Sequence, residues 1–132
     1  MLTKLARGLG FIGGAWGLLA TLALFTLPMY QGISVRYANG QRIEERSTQT
    51  LLEVNAPLQP ITISFFGEMI AGSALALLTA LAAKTKHRVY GALMTFASVM
   101  LLAGSFLAGF SVGPYYLPGA VMVIIAGILL LI

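Results

Sequence analysis

Apolar residues run along this chain in four long blocks, and the blocks lack the regular polar interruptions that mark the surface of a water-soluble helix or strand. From Val89 to Ile132 no residue is charged, and the other apolar blocks hold a single charge, Glu68. Soluble folds seldom leave so much apolar sequence without charge, whereas about 20 apolar residues suffice for one helical crossing of a bilayer. The pattern predicts an all-α membrane protein of four antiparallel transmembrane helices at residues 9–29, 61–83, 89–112 and 116–132. Thr26-Leu27-Pro28 closes the first block, and Pro60 suits the first turn of the second. The pairs Gly113-Pro114 and Pro118-Gly119 are the expected breakers between the third and fourth. The first block is longer than the core of a secretory signal and lacks a small-x-small cleavage site, which predicts a retained helix.

The one sizeable polar module, residues 30–60, reads as strand. Ile33, Val35 and Tyr37 alternate with Ser34 and Arg36, and then comes Asn39-Gly40, the dipeptide best suited to a two-residue turn with positive φ. Ile43, Thr48, Thr50 and Val54 supply β-formers beyond it. Centring the turn on Asn39-Gly40 sets Tyr37 opposite Arg42, and Arg36 diagonal to Glu45. The expectation is an extracytoplasmic β-hairpin, or a three-stranded sheet, capping the outer mouth of the bundle between the first and second helices. Arg36, Tyr37, Arg42, Glu45 and Arg46 are its candidate docking surface, because an open sheet edge accepts another strand. The same module reads equally well as a solvated connector whose arginines and glutamates neutralise one another.

Composition and charge then set the topology. With 132 residues, 58% of them hydrophobic and 9% charged, four crossings nearly exhaust the chain. No soluble catalytic or nucleic-acid-binding domain fits in what remains, so the net charge of +4 is read through the membrane. Lys4, Arg7, Lys84, Lys86 and Arg88 fall on one side, the last three in a short basic loop at 84–88; Arg36, Arg42 and Arg46 are spread over the other. That bias predicts both termini in the cytoplasm, in a plasma or inner membrane, with Tyr30, Tyr115 and Tyr116 at the outer interface. The chain stops at Leu131-Ile132 without a basic flank, where either a terminal carboxylate or further residues would meet the membrane surface. The absence of cysteine excludes disulfide, zinc-thiolate and iron–sulfur chemistry.

Glu68 is the candidate intramembrane polar site. It follows Pro60 by eight residues, or about 12 Å of helix rise, which puts a carboxyl inside the hydrocarbon. Ser64, Glu68, Ala71, Gly72, Leu75 and Thr79 recur at helical spacing, as do Thr95, Ser98, Leu102, Ser105 and Gly109 in the next helix. The two stripes are expected to face each other, with Ser105 near the depth of Glu68. A protonated Glu68 donating a hydrogen bond between helices is one reading; a proton- or cation-binding carboxylate is the other. Gly10, Gly13, Gly14 and Gly17 are candidate helix-packing residues, dense enough to leave one face for a second subunit or self-association.

The remaining motifs carry less. Gly8-Leu9-Gly10-Phe11-Ile12-Gly13 spells a GxGxxG-like string, but it opens a membrane helix rather than following a strand. His87 is alone in the basic loop, which is suited to anionic lipid headgroups. Four helices, a β-rich first outer loop and both ends inside are similar in outline to the claudin and peripheral-myelin-protein class. The likeness is one of fold only, since residues 30–60 contain neither the Trp nor the two Cys of that class's first-loop signature. Small multidrug transporters also pair four helices with a membrane glutamate, but theirs lies in the first helix and this one in the second.

No acid, base and nucleophile converge at one membrane face, so no residue is assigned to catalysis, a cofactor or a metal. The sequence favours a non-enzymatic structural, accessory or adhesive subunit. Its partners would be the lipid bilayer and other membrane-protein subunits, with no nucleic acid. The alternative is a small oligomeric transporter or channel built on Glu68.

Overall fold

The computed structural model describes residues 1–28, 30–50, 59–85 and 88–132. In chain order its elements are α1 (Leu2–Thr26), β1 (Tyr30–Ala38), β2 (Gln41–Gln49), α2 (Pro60–Ala82), α3 (Arg88–Leu107) and α4 (Gly109–Leu131). Each of the four helices contains a stretch long and apolar enough to cross a membrane. The expected β-former Val54, Glu53, and Lys86 and His87 of the basic loop lie outside the described residues.

Local chemistry sets most of the boundaries. α1 begins before the apolar block, because nothing in its first turns breaks a helix and Lys4 and Arg7 favour one. It ends as Leu27 turns extended (φ −90°, ψ 138°) ahead of Pro28, whose ring disfavours the helical conformation in the residue before it. Pro60 opens α2 in its first turn, where its missing N–H costs no bond.

The break between the last two helices is not at the Gly-Pro pairs. Gly109, at φ +63°, takes the left-handed conformation that ends α3, while Pro114 and Pro118 both lie inside α4. Each proline removes one i→i−4 bond, which a helix packed among others can absorb as a bend. The Tyr115 carbonyl in this region accepts the Trp16 indole N–H at 2.8 Å.

The helices form an up-down-up-down ring in which each packs antiparallel on its two neighbours. Seams between helices this apolar depend on close approach, and small residues permit it. A Cβ on Gly13 would lie 2.7 Å from the Gly119 carbonyl oxygen, and one on Gly119 would lie 2.8 Å from the Gly13 carbonyl oxygen, so α1 and α4 meet backbone to backbone. Gly14 meets Ser73 and Leu77 of α2, Gly72 meets Leu101 of α3, and Gly127 of α4 meets Thr95 of α3. Ala6, Ala80 and Met94 fill one end of the interior, and Ser73, Ala76, Ala97 and Leu101 the middle. An aromatic cluster closes the other end, with Phe25–Phe66, Phe65–Phe66 and Phe65–Tyr116 centroids 4.7, 5.0 and 6.1 Å apart. The outward faces are apolar too: Leu19, Leu78, Phe96 and Ile125 are all exposed.

β1 and β2 form a two-stranded antiparallel sheet with Tyr37 opposite Arg42 and Ser34 opposite Glu45. Asn39 (φ 53°) and Gly40 (φ 76°) make the turn, both at the positive φ that a type I′ hairpin requires. The sheet is not a lid seated on the bundle. From Ile33 to Thr48 every residue is exposed except the half-buried Ala38. The reason is visible in the register. Arg42, Glu44 and Arg46 charge one face, Arg36 and Glu45 the other, and neither face is apolar enough to be buried against helix ends.

Candidate functional site

Glu68 does not meet the serines expected beside it. The buried stripe of α2 is Phe66, Met69, Gly72, Ser73, Ala76, Thr79 and Ala80, which leaves Glu68 partly buried on its flank and Ser64 exposed. On α3 the buried stripe is Gly91, Met94, Ala97, Ser98, Leu101, Gly104 and Ser105. Ser105 is buried, but its hydroxyl donates to the Leu101 carbonyl of its own helix at 2.7 Å. Its backbone faces α4, where a Cβ on Gly113 would strike the Ser105 carbonyl. Glu68 makes no hydrogen bond or ion pair among the described residues, so the interhelical bridge from its carboxyl is not formed. The interior at this level belongs to Phe66 and Met69, whose bulk fills a space that small polar residues would leave open.

The buried polar chemistry lies elsewhere. Thr21 and Tyr116 join hydroxyls at 2.8 Å between α1 and α4, and Thr21 also donates to the Gly17 carbonyl at 2.9 Å. With that proton committed, the Tyr116 O–H donates to Thr21. Tyr116 is 1% exposed and thus belongs to the core, while its neighbour Tyr115 remains at the surface. Ser73 Oγ is buried with no hydrogen-bond partner among the described residues, against Gly17 at the centre of the α1–α2 seam. At the end holding the chain termini, Arg7 Nε donates to the Ala80 carbonyl at 3.0 Å, placing a cation on the unpaired carbonyls that end α2.

All four candidate packing glycines of α1 are used within the bundle. Gly10 meets Met94 and Ala80, Gly13 meets Gly119, and Gly14 and Gly17 meet Ser73, so they leave no small-residue face for a second subunit. The exception on α1 is Gly8, where an added Cβ would meet nothing within 4 Å.

The five candidate docking residues are all exposed, but they do not form one surface. Strand alternation places Tyr37, Arg42 and Arg46 on one face, and Arg36 and Glu45 on the other. The first of these faces has a row of Ile33, Val35 and Tyr37 lying against a row of Arg46, Glu44 and Arg42. Arg42 Nη2 pairs with Glu44 Oε1 at 2.7 Å along β2, rather than Arg36 pairing with Glu45. Both partners are exposed, and an ion pair of that kind is worth about 0–1 kcal/mol. Ile33 and Val35 complete this face, and the alternation of β1 is the sequence signal that marks them.

Among the described residues no group of three or more His, Cys, Asp or Glu is placed to hold a metal ion. No protein-family model matches the chain, and no curated protein or solved structure matches it either.

Proposed function

We propose that the chain is an integral membrane protein with both termini in the cytoplasm, acting without catalysis as an accessory or adhesive subunit that binds another protein through its outer hairpin. The observation that carries this reading is the hairpin itself. It has two nine-residue strands, exposed on both faces from Ile33 to Thr48 apart from Ala38, with an apolar row of Ile33, Val35 and Tyr37 left uncovered. A two-stranded hairpin is marginal in water, and its edges, unpaired among the described residues, invite pairing. A partner would supply both the cover and the third strand. The apolar outer faces of all four helices support the bilayer as their solvent.

The test is isolation of the tagged protein from its native membrane in a lipid-preserving system, with its mass and companions determined. A stoichiometric companion that is lost when Ile33 and Tyr37 are both changed to Ser, while helix content is retained, supports the reading. A particle of this chain alone removes the accessory role and leaves adhesion between copies, to be read as hairpin-dependent clustering of vesicles.

A second reading has one observation in its favour. Glu68 is a carboxyl within an apolar helix, without a hydrogen-bonding partner among the described residues, and such groups mark ion pathways. Proton or cation flux in liposomes that Glu68→Gln abolishes would establish transport; flux equal to that of protein-free liposomes would exclude it.

A further inference from the structure

We propose that the terminal end of the bundle carries a binding site for one anionic phospholipid, between the first turns of α1 and the last turns of α2. The proposal rests on the reading of the four helices as membrane spans, and is independent of the hairpin and its partner. A groove of about 380 Å³ lies there, with Lys4 and Arg7 as its cations, Gly8 between them and the rest, and Phe11, Ile12 and Leu81 as its apolar lining. That volume is within the range of small-molecule sites.

Three observations converge on the groove. The first is an excess of basic side chains. Lys4, Arg7, Lys84 and Arg88 lie at this end, whereas the described acidic side chains, Glu44, Glu45 and Glu68, lie elsewhere. Lys4 makes no ion pair or hydrogen bond among the described residues. No described acidic side chain competes with an anion from outside the chain.

The second is a cation held in place. The bond from Arg7 Nε to the Ala80 carbonyl fixes the guanidinium across the α1–α2 seam, and the Leu81 carbonyl lies 3.5 Å from Nη2. The Nη1 group has no partner among the described residues and is available to a phosphate oxygen. The arginine therefore loses little freedom when it binds.

The third is Gly8. Every other glycine of α1 lies where a side chain would strike a neighbouring helix, but at Gly8 the space is open. A glycine within a helix costs about 1 kcal/mol relative to alanine, and close packing does not account for that cost here. What the missing side chain does is keep the groove clear between the two cations and the apolar lining.

A phosphate ester at Lys4 and Arg7, with an acyl chain over Gly8 against Phe11, Ile12 and Leu81, uses all of these features. A zwitterionic lipid brings its own ammonium and gains less from the two cations. A soluble phosphate lacks the chain and gains nothing from the apolar lining.

The experiment uses the full-length chain in neutral detergent, with retained lipid measured by native mass spectrometry. The probes are phosphatidylglycerol and phosphatidylcholine of identical acyl chains, and glycerol phosphate alone. The expected result is one phosphatidylglycerol retained in preference to phosphatidylcholine. Lys4→Gln should weaken it about fivefold, the effect of one basic residue at a membrane surface. Gly8→Leu should abolish the preference with helix content kept and melting not lowered, because the new side chain enters open space and leucine favours the helix more than glycine does. Equal retention of the two lipids overturns the site, as does an unchanged preference in Gly8→Leu. Displacement of the lipid by equimolar glycerol phosphate overturns the lipid and leaves a soluble anion. Alkaline carbonate extraction from phosphatidylcholine vesicles separates the two failures: a chain that is extracted contradicts the membrane reading, and one that stays without preferring phosphatidylglycerol contradicts only the site.

Discussion

Gly13 and Gly40 are the same residue used for opposite reasons. At Gly13 the backbones of α1 and α4 touch, and a Cβ would lie 2.7 Å from the Gly119 carbonyl oxygen; at Gly40 there is nothing within 4 Å, and it is the positive φ of 76° that glycine serves. The bundle is specified by contacts between residues far apart in sequence, the hairpin by the conformation of two adjacent residues. A change in the bundle is therefore felt by two helices at once, whereas a change in the hairpin should stay within it.

The largest effect should follow from filling the α1–α4 contact. Gly13→Leu forces the two backbones apart and should cost about 3 kcal/mol, read as lost yield and a lower melting temperature in detergent. A variant that melts like the parent would show that the Gly13–Gly119 approach does not hold the ring together.

Next in size is the hairpin turn. Gly40→Val forces a β-branched residue into the left-handed region at about 1–2 kcal/mol, enough to open a marginal hairpin. Limited proteolysis should then cut within residues 33–48 while helix content and bundle melting stay unchanged. If bundle melting falls as well, the two regions are not independent and the comparison fails.

Smaller still is Thr21→Val, which deprives the Tyr116 hydroxyl of this bond and should lower stability by about 1 kcal/mol, as interhelical hydrogen bonds in membranes do. The smallest is Ser73→Ala. It removes a buried hydroxyl with no partner among the described residues, so it should be neutral or mildly stabilising, within about 0.5 kcal/mol, by the same melting assay. A clear loss would reveal a bond that the Ser73 hydroxyl makes.

The hairpin was legible in the sequence because its cause is local. Asn39-Gly40 admits few turns, and a two-residue turn fixes every pairing from Ala38–Gln41 to Tyr30–Gln49. The four helices were legible because apolar length is a property of a segment on its own. Which side of each helix turns inward was not. In a bundle that is apolar outside as well as inside, polarity no longer marks the interior, and Glu68 with Ser64 drew attention to a face that Phe66 and Met69 in fact supply. Size and shape decide instead, and these depend on the partner helix. The same holds for Tyr115 and Tyr116, neighbours in sequence about 100° apart around α4, one at the surface and one bonded to Thr21. Gly113-Pro114 looked like a break, but the glycine serves a close approach to Ser105, and Gly109 makes the turn.

The length of the hairpin fixes a distance as well as a surface. Two strands of nine residues carry the Asn39-Gly40 tip roughly 27 Å from the strand bases, close to the thickness of the hydrocarbon that each helix would cross. Whatever meets that tip is held about one membrane thickness from the strand bases, and removing a residue pair from both strands would shorten the reach by about 7 Å while keeping every remaining side chain on its own face.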